Sequence, residues 1–263
     1  MKVLRLELYR AFHSRTFLIS LLIGLSICIL DLVTFCIRFG GSGSKVLLQA
    51  WIGTDYQFAY NEMFYVLLPV LACLPYGGSL YTDMKSGYDR NICIKTSRIK
   101  YAFAKSAAVF VSAFASVSLP LGLNMFIASG LFPANTPERL EFMSIRVLDR
   151  NLFAVTNSEH PALYCLIFIL IDGLFAGVIA LTSLSISKAV RSHFTAVVTP
   201  MVFVVILSMI LLGDEFGNWS VMDMLNPRQY VTTLWYQMLT VFLVILGINA
   251  LVIWITSRKR AVI

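Results

Sequence analysis

Long apolar runs alternate with short polar segments along the whole chain, and the charges collect almost entirely in the polar segments. A helix needs about 20 largely apolar residues to cross a ~30 Å hydrocarbon core, with its backbone polar groups bonded inside the segment. Six runs answer to that description: 16–37, interrupted only by Asp31; 63–81; 106–131; 162–186, interrupted only by Asp172; 195–212; and 234–256. The pattern predicts an all-α polytopic membrane protein, a single transmembrane domain over 1–263 with six membrane helices. The first run is too long for a signal-peptide core and no small-x-small cleavage site follows it, so it predicts a retained span. Ahead of it, Leu4, Leu8, Ala11 and Phe12 share one helical stripe. Lys2, Glu7, Arg10, His13 and Ser14 lie mostly on the other face, which predicts an interfacial helix over 1–15.

Composition agrees with lipid as the solvent. Of 263 residues, 58% are hydrophobic and 13% charged, where soluble domains have about 25% charged residues; mean hydropathy is +0.79. The net charge of +7 is distributed by side. Residues 2–15, 85–105, 188–191 and 258–260 hold four, six, two and three Lys or Arg, and the alternate connections hold the other six together with nine acids. Basic residues are retained on the cytoplasmic side, so both termini are expected there, and anionic headgroups account for the charge without nucleic acid. Trp51, Trp219, Trp235 and Trp254 fall at or beyond span ends, where amphipathic rings favour the interface.

The remaining segments carry fewer signals. A flexible Gly40-Gly41-Ser42-Gly43-Ser44 stretch opens the first external connection, and Thr136-Pro137-Glu138 starts an external amphipathic helix through about residue 150. Cys28, Cys36, Cys73, Cys93 and Cys165 are odd in number with no C-x-x-C spacing, which suits small packing residues better than a disulfide framework or a metal site.

Chemistry concentrates between the second and third spans. Tyr81-Thr82-Asp83 leads through Gly87 and the apolar Ile92-Cys93-Ile94 to Thr96-Ser97-Arg98 and then Lys105. This order resembles the permease subunit of type-2 ABC exporters, in which an acid ending the second helix precedes a glycine, a short apolar stretch, a Ser-Arg-like turn and a lysine opening the third helix. Thr96 stands where that family usually has proline. Leu225-Asn226-Pro227, ahead of the last span, resembles the turn that follows the family's external re-entrant segment. The resemblance covers nearly the whole chain.

It implies a cytoplasmic coupling helix between spans two and three, with Asp83, Gly87, Ile92, Ile94, Arg98 and Lys105 shaping a surface for a separately encoded ABC ATPase, present in two copies. A second permease subunit, identical or homologous, would complete the transporter. ATP and Mg would bind the ATPase, and this chain would bind no cofactor. The resemblance further implies a multi-pass protein of a bacterial plasma membrane exporting an amphipathic or hydrophobic substrate such as a peptide antibiotic, a drug or a lipid.

Independently of the family, six basic and two acidic residues flanking an apolar core make residues 81–105 a candidate docking surface. Asp31, about 22 Å from Thr16 along the helix, and Asp172, near the midplane, are the costliest residues to place in lipid. Asp31 is read as an interhelical partner or as reaching toward the outer interface. Asp172 is read as either a polar pathway residue or an interhelical partner of a group such as Asn124, beside a close-approach Gly173-x-x-x-Gly177 spacing. No Walker A motif, no H-E-x-x-H and no histidine within a span supports an enzyme. The competing expectations are a proton-coupled secondary carrier titrating Asp172 and an intramembrane enzyme.

Overall fold

The computed structural model describes residues 2–39, 46–54, 58–133, 152–190, 192–211, 219–229 and 232–258. Twelve helices follow one another among them: α1 (Lys2–Phe12), α2 (Arg15–Phe39), α3 (Leu47–Ala50), α4 (Phe58–Cys73), α5 (Ser79–Ser86), α6 (Tyr88–Lys95), α7 (Arg98–Leu131), α8 (Ala154–Glu159), α9 (Pro161–Ile186), α10 (His193–Leu211), α11 (Val221–Leu225) and α12 (Trp235–Arg258). Five of these, α2, α7, α9, α10 and α12, are long and apolar enough to cross a membrane, which is the mark of an all-α multi-pass membrane protein. The expected external helix near 136–150 and the Gly40–Ser44 stretch lie outside the described residues.

The run predicted as one span over 63–81 is broken. α4 ends at Cys73, a turn follows, and α5 begins at Ser79. Pro75 has no N–H to give the carbonyl of Leu71, four residues earlier, and an unserved carbonyl inside lipid is costly. Two hydroxyls from neighbouring helices replace the missing donor: Ser20 of α2 at 2.7 Å and Ser116 of α7 at 3.0 Å. The same repair recurs at Pro200 in α10, where the Ala196 carbonyl accepts from Ser183 of α9 at 2.7 Å. α7 starts at Arg98 rather than near residue 106, because Lys100 and Lys105 stand on its first turns instead of in a loop.

α9 and α7 form the most extensive helix pair, with α4 against both. Gly173 and Gly177 permit it: a Cβ on Gly177 would lie 2.6 Å from the Phe110 ring, and one on Gly173 would lie 2.8 Å from the Phe114 ring. α9 is 67% buried through its apolar stretch and α12 only 11%, so α9 is central and α12 presents most of its surface to lipid.

At the end of the bundle carrying α2's last turns, residues 46–54 fold inward as a buried segment containing α3. Trp51 therefore does not sit at the interface. It is fully buried, its indole N–H directed at the Leu121 carbonyl at 3.4 Å. Asn124 explains how the segment is held, since its Oδ1 accepts from the Ile52 N–H and its Nδ2 donates to the Cys28 carbonyl. The Asn226 side chain donates to Asn61 Oδ1, and Asn61 donates to the Ile52 and Gly53 carbonyls. The Leu225-Asn226-Pro227 turn is thus clamped to the inward segment, immediately after the short helix α11.

The opposite end gathers the basic segments. Ser14 and Thr16 both donate to the Pro75 carbonyl, at 3.2 and 2.8 Å, and Lys188, just past α9, donates to the Thr256 carbonyl near the end of α12. All five cysteines are free, with Cys28, Cys73 and Cys165 buried as packing residues.

Candidate functional site

α1 lies against α7, and its buried side includes a charge. Glu7 has no exposed surface; it occupies the same face as Leu4 and Ala11, three residues before it and four after, rather than the solvated face expected of it. Its burial is possible because Lys105, 1% exposed on α7, places its ammonium 3.0 Å from Glu7 Oε2 and 2.5 Å from Asp83 Oδ2 on α5. Arg10 closes the set from the rim, bonding Asp83 at 2.8 Å and Glu7 at 3.0 Å. Two acids face two bases, and the Tyr76 and Tyr101 hydroxyls donate to Glu7 and Asp83 respectively. Such neutrality and full bonding are what a buried ion group requires.

The Asp83 carboxyl is held below the ordinary aspartate range. Burial alone would lift it, but the Arg10 hydrogen bond, reinforced by Lys105 and Tyr101, more than reverses that. A depressed folded pKa contributes stability that is present above the ordinary value of 3.8 and is lost as pH falls through the folded one, so the cluster holds throughout the neutral range.

The cluster supports a hairpin. Gly87 joins α5 to α6 with φ 73°, a left-handed conformation that glycine adopts without strain, and no atom lies near the position a Cβ would take. The glycine is therefore needed for the turn and not for close approach. Arg10 lies over the Tyr88 ring at 4.2 Å, which ties the first residue of α6 to the cluster. No residue of α6 is buried, and Ile94 is 82% exposed on a helix outside the apolar spans. Ile92 is partly covered, and Arg98 opens α7 on the exposed surface. Of the expected docking residues, Asp83 and Lys105 are thus brought together as an ion pair beneath the hairpin, while Gly87, Ile92, Ile94 and Arg98 shape the hairpin and the turn that follows it.

Asp172 is buried in α9 and accepts from the Tyr65 hydroxyl of α4 at 3.0 Å; its partner is not Asn124, which is committed to the inward segment. Its Oδ1 has no hydrogen-bond partner among the described residues. Asp31 is also fully buried, on the inner side of α2 one turn beyond Cys28, so it does not reach out to the interface.

Glu7, Arg10 and Tyr76 were not singled out by sequence, although Glu7 is the only acid in the first 30 residues, an outlier in a basic segment. No protein-family model, no curated protein and no solved structure matches this chain.

Proposed function

We propose that the chain is the permease subunit of a type-2 ABC exporter. The observation that carries this reading is the exposed helix α6, mounted on a Gly87 turn and locked through a buried ion cluster to α1 and α7. A docking helix must be free on one side and rigid on the other if force applied to it is to move membrane helices. Closure of two ATPase subunits against α6 of two permeases would tilt α7 and α1 as a unit. ATP and Mg belong to the ATPase.

Six crossings complete the proposal, with α4 and α5 together making the second. In support, the start of α2 and the end of α12 both lie with the basic segments, a parity that five crossings do not allow. Basic-side retention then puts both termini in the cytoplasm of a bacterial plasma membrane. The exported substrate is amphipathic or hydrophobic, because the spans carry few charged groups to hold a strongly polar solute.

Pull-down of the tagged chain from its native membrane is expected to recover a Walker-motif ATPase in a fixed ratio. Gly87→Val should reduce that recovery about tenfold, since a β-branched residue cannot hold φ 73° without strain of order 1–3 kcal/mol, while insertion of the spans proceeds normally. An isolated chain that transports without any ATPase overturns the proposal.

The competing reading is a proton-coupled carrier, favoured by the half-satisfied carboxyl of Asp172. Asp172→Asn separates the two. The amide still accepts from Tyr65, so an ABC permease should keep ATP-driven transport within about threefold and remain assembled, the loss of one uncharged-for-charged hydrogen bond being of order 1 kcal/mol. Abolished transport in a well-assembled Asn variant, together with lost proton dependence, supports the carrier.

A further inference from the structure

Next to the ion cluster, the basic ends of four helices leave a cavity of about 460 Å³, enclosed by α5, α6, the start of α7, the end of α9 and the end of α12. That volume lies in the range of small-ligand sites, about 300–1,000 Å³. Its chemistry is divided. Arg90, Arg98 and Lys188 contribute cations at the wall against a single acid, Asp89. Lys105 forms part of the lining, but its ammonium is committed to Glu7 and Asp83. Leu80, Met84, Leu184 and Ile253 provide an apolar surface beside the cations.

We infer that this cavity binds an anionic phospholipid, its phosphate among Arg90, Arg98 and Lys188 and its acyl chains descending along α12. The inference stands on the cavity alone and does not depend on the transport proposal.

Three observations carry it. First, the cations come from three separate elements, α6, α7 and the segment after α9, yet meet at one cavity. Three like charges crowded against apolar side chains repel one another unless an anion joins them. Partial desolvation pulls the Lys188 ammonium below the ordinary lysine range, and Arg98 adds repulsion that Asp89 only partly offsets. A phosphate would relieve that repulsion. Second, the Lys188 ammonium has three N–H donors, and the Thr256 carbonyl accepts at 3.1 Å, which fixes the head at the rim with donors still to offer. Third, the wall facing the bilayer is α12, the least buried of the long helices, with Leu251 and Ile255 exposed to lipid. A soluble anion would have no use for an apolar wall continuous with a lipid-facing helix, whereas an acyl chain does. The basic end of the bundle is also the end at which anionic headgroups concentrate.

Native mass spectrometry of the full chain tests the inference, with phosphatidylglycerol and phosphatidylcholine added in turn to the detergent-solubilised protein. The wild type should form one-to-one adducts with phosphatidylglycerol in preference to phosphatidylcholine by about tenfold. Arg98→Gln combined with Lys188→Gln should abolish that preference, and each single variant should lose part of it, so the result does not rest on the double variant folding. Arg38→Gln, at the far end of α2, should leave it unchanged. Equal binding of the two lipids by the wild type, or an undiminished preference in the double variant and both single ones, overturns the inference. Displacement of phosphatidylglycerol by excess inorganic phosphate also overturns it, since the cavity would then serve a soluble anion. Persistence of the adduct in phosphate supports the lipid.

Discussion

Lys105→Met is expected to destabilise the protein by about 3–5 kcal/mol and to free α1 from α7, because it removes one base from a buried, neutral group of four charges. Glu7 is fully buried and would lose its ammonium partner, while Arg10, about a third exposed, is left to serve both acids from the rim. Methionine retains most of the stem volume, so the loss is electrostatic rather than a cavity effect. Adding Glu7→Gln to Lys105→Met should recover most of the stability, since one base and one acid, Arg10 and Asp83, then remain paired. Detergent-induced unfolding in bicelles gives the stability, and protease access to residues 2–12 reports the release of α1. A single variant as stable as the wild type would mean that water already solvates these charges.

Gly177→Leu should cost about 3 kcal/mol or more by forcing α9 away from α7, since even the first carbon of the new side chain would meet the Phe110 ring at 2.6 Å. Phe110→Ala in the same chain removes the obstructing ring and should restore part of the loss, a coupling that independent sites would not show. Gly247→Leu on α12 is the control: its Cβ would meet nothing within 4 Å, so it should stay within about 0.5 kcal/mol of the wild type. The same unfolding assay reads all three. If Gly177→Leu and Gly247→Leu behave alike, close packing of α7 and α9 is not holding the bundle.

Why some of this was visible in the sequence and some not follows from the range of the interactions. The long apolar runs are local and read directly, so the bounds of α2, α9, α10 and α12 fall within two residues of those expected. Asp83 and Lys105 were legible as a pair because they bracket one short stretch. Glu7 was not, because its partner stands on another helix and amphipathic patterning assigns a carboxylate to the wet face until that partner is known. Trp51 misled for a related reason. An aromatic ring near a span end suits the interface, and only the folded chain shows residues 46–54 turning back into the bundle under the hold of Asn124 and Asn61. The break after Cys73 was hidden by an apolar composition that runs on through Pro75. Composition measures compatibility with lipid, and helical continuity is a separate matter of backbone donors.

The Leu71 carbonyl has a consequence for motion. It accepts from Ser20 on one helix and Ser116 on another, so sliding α2 or α7 past α4 withdraws one donor while the other keeps its grip. Ser116 also holds the Ala113 carbonyl of its own helix, which leaves its hydroxyl a place to go when it lets go. The discontinuity below α4 is therefore a pivot with two interchangeable latches, able to pass from one neighbour to the other without ever baring a carbonyl to the hydrocarbon.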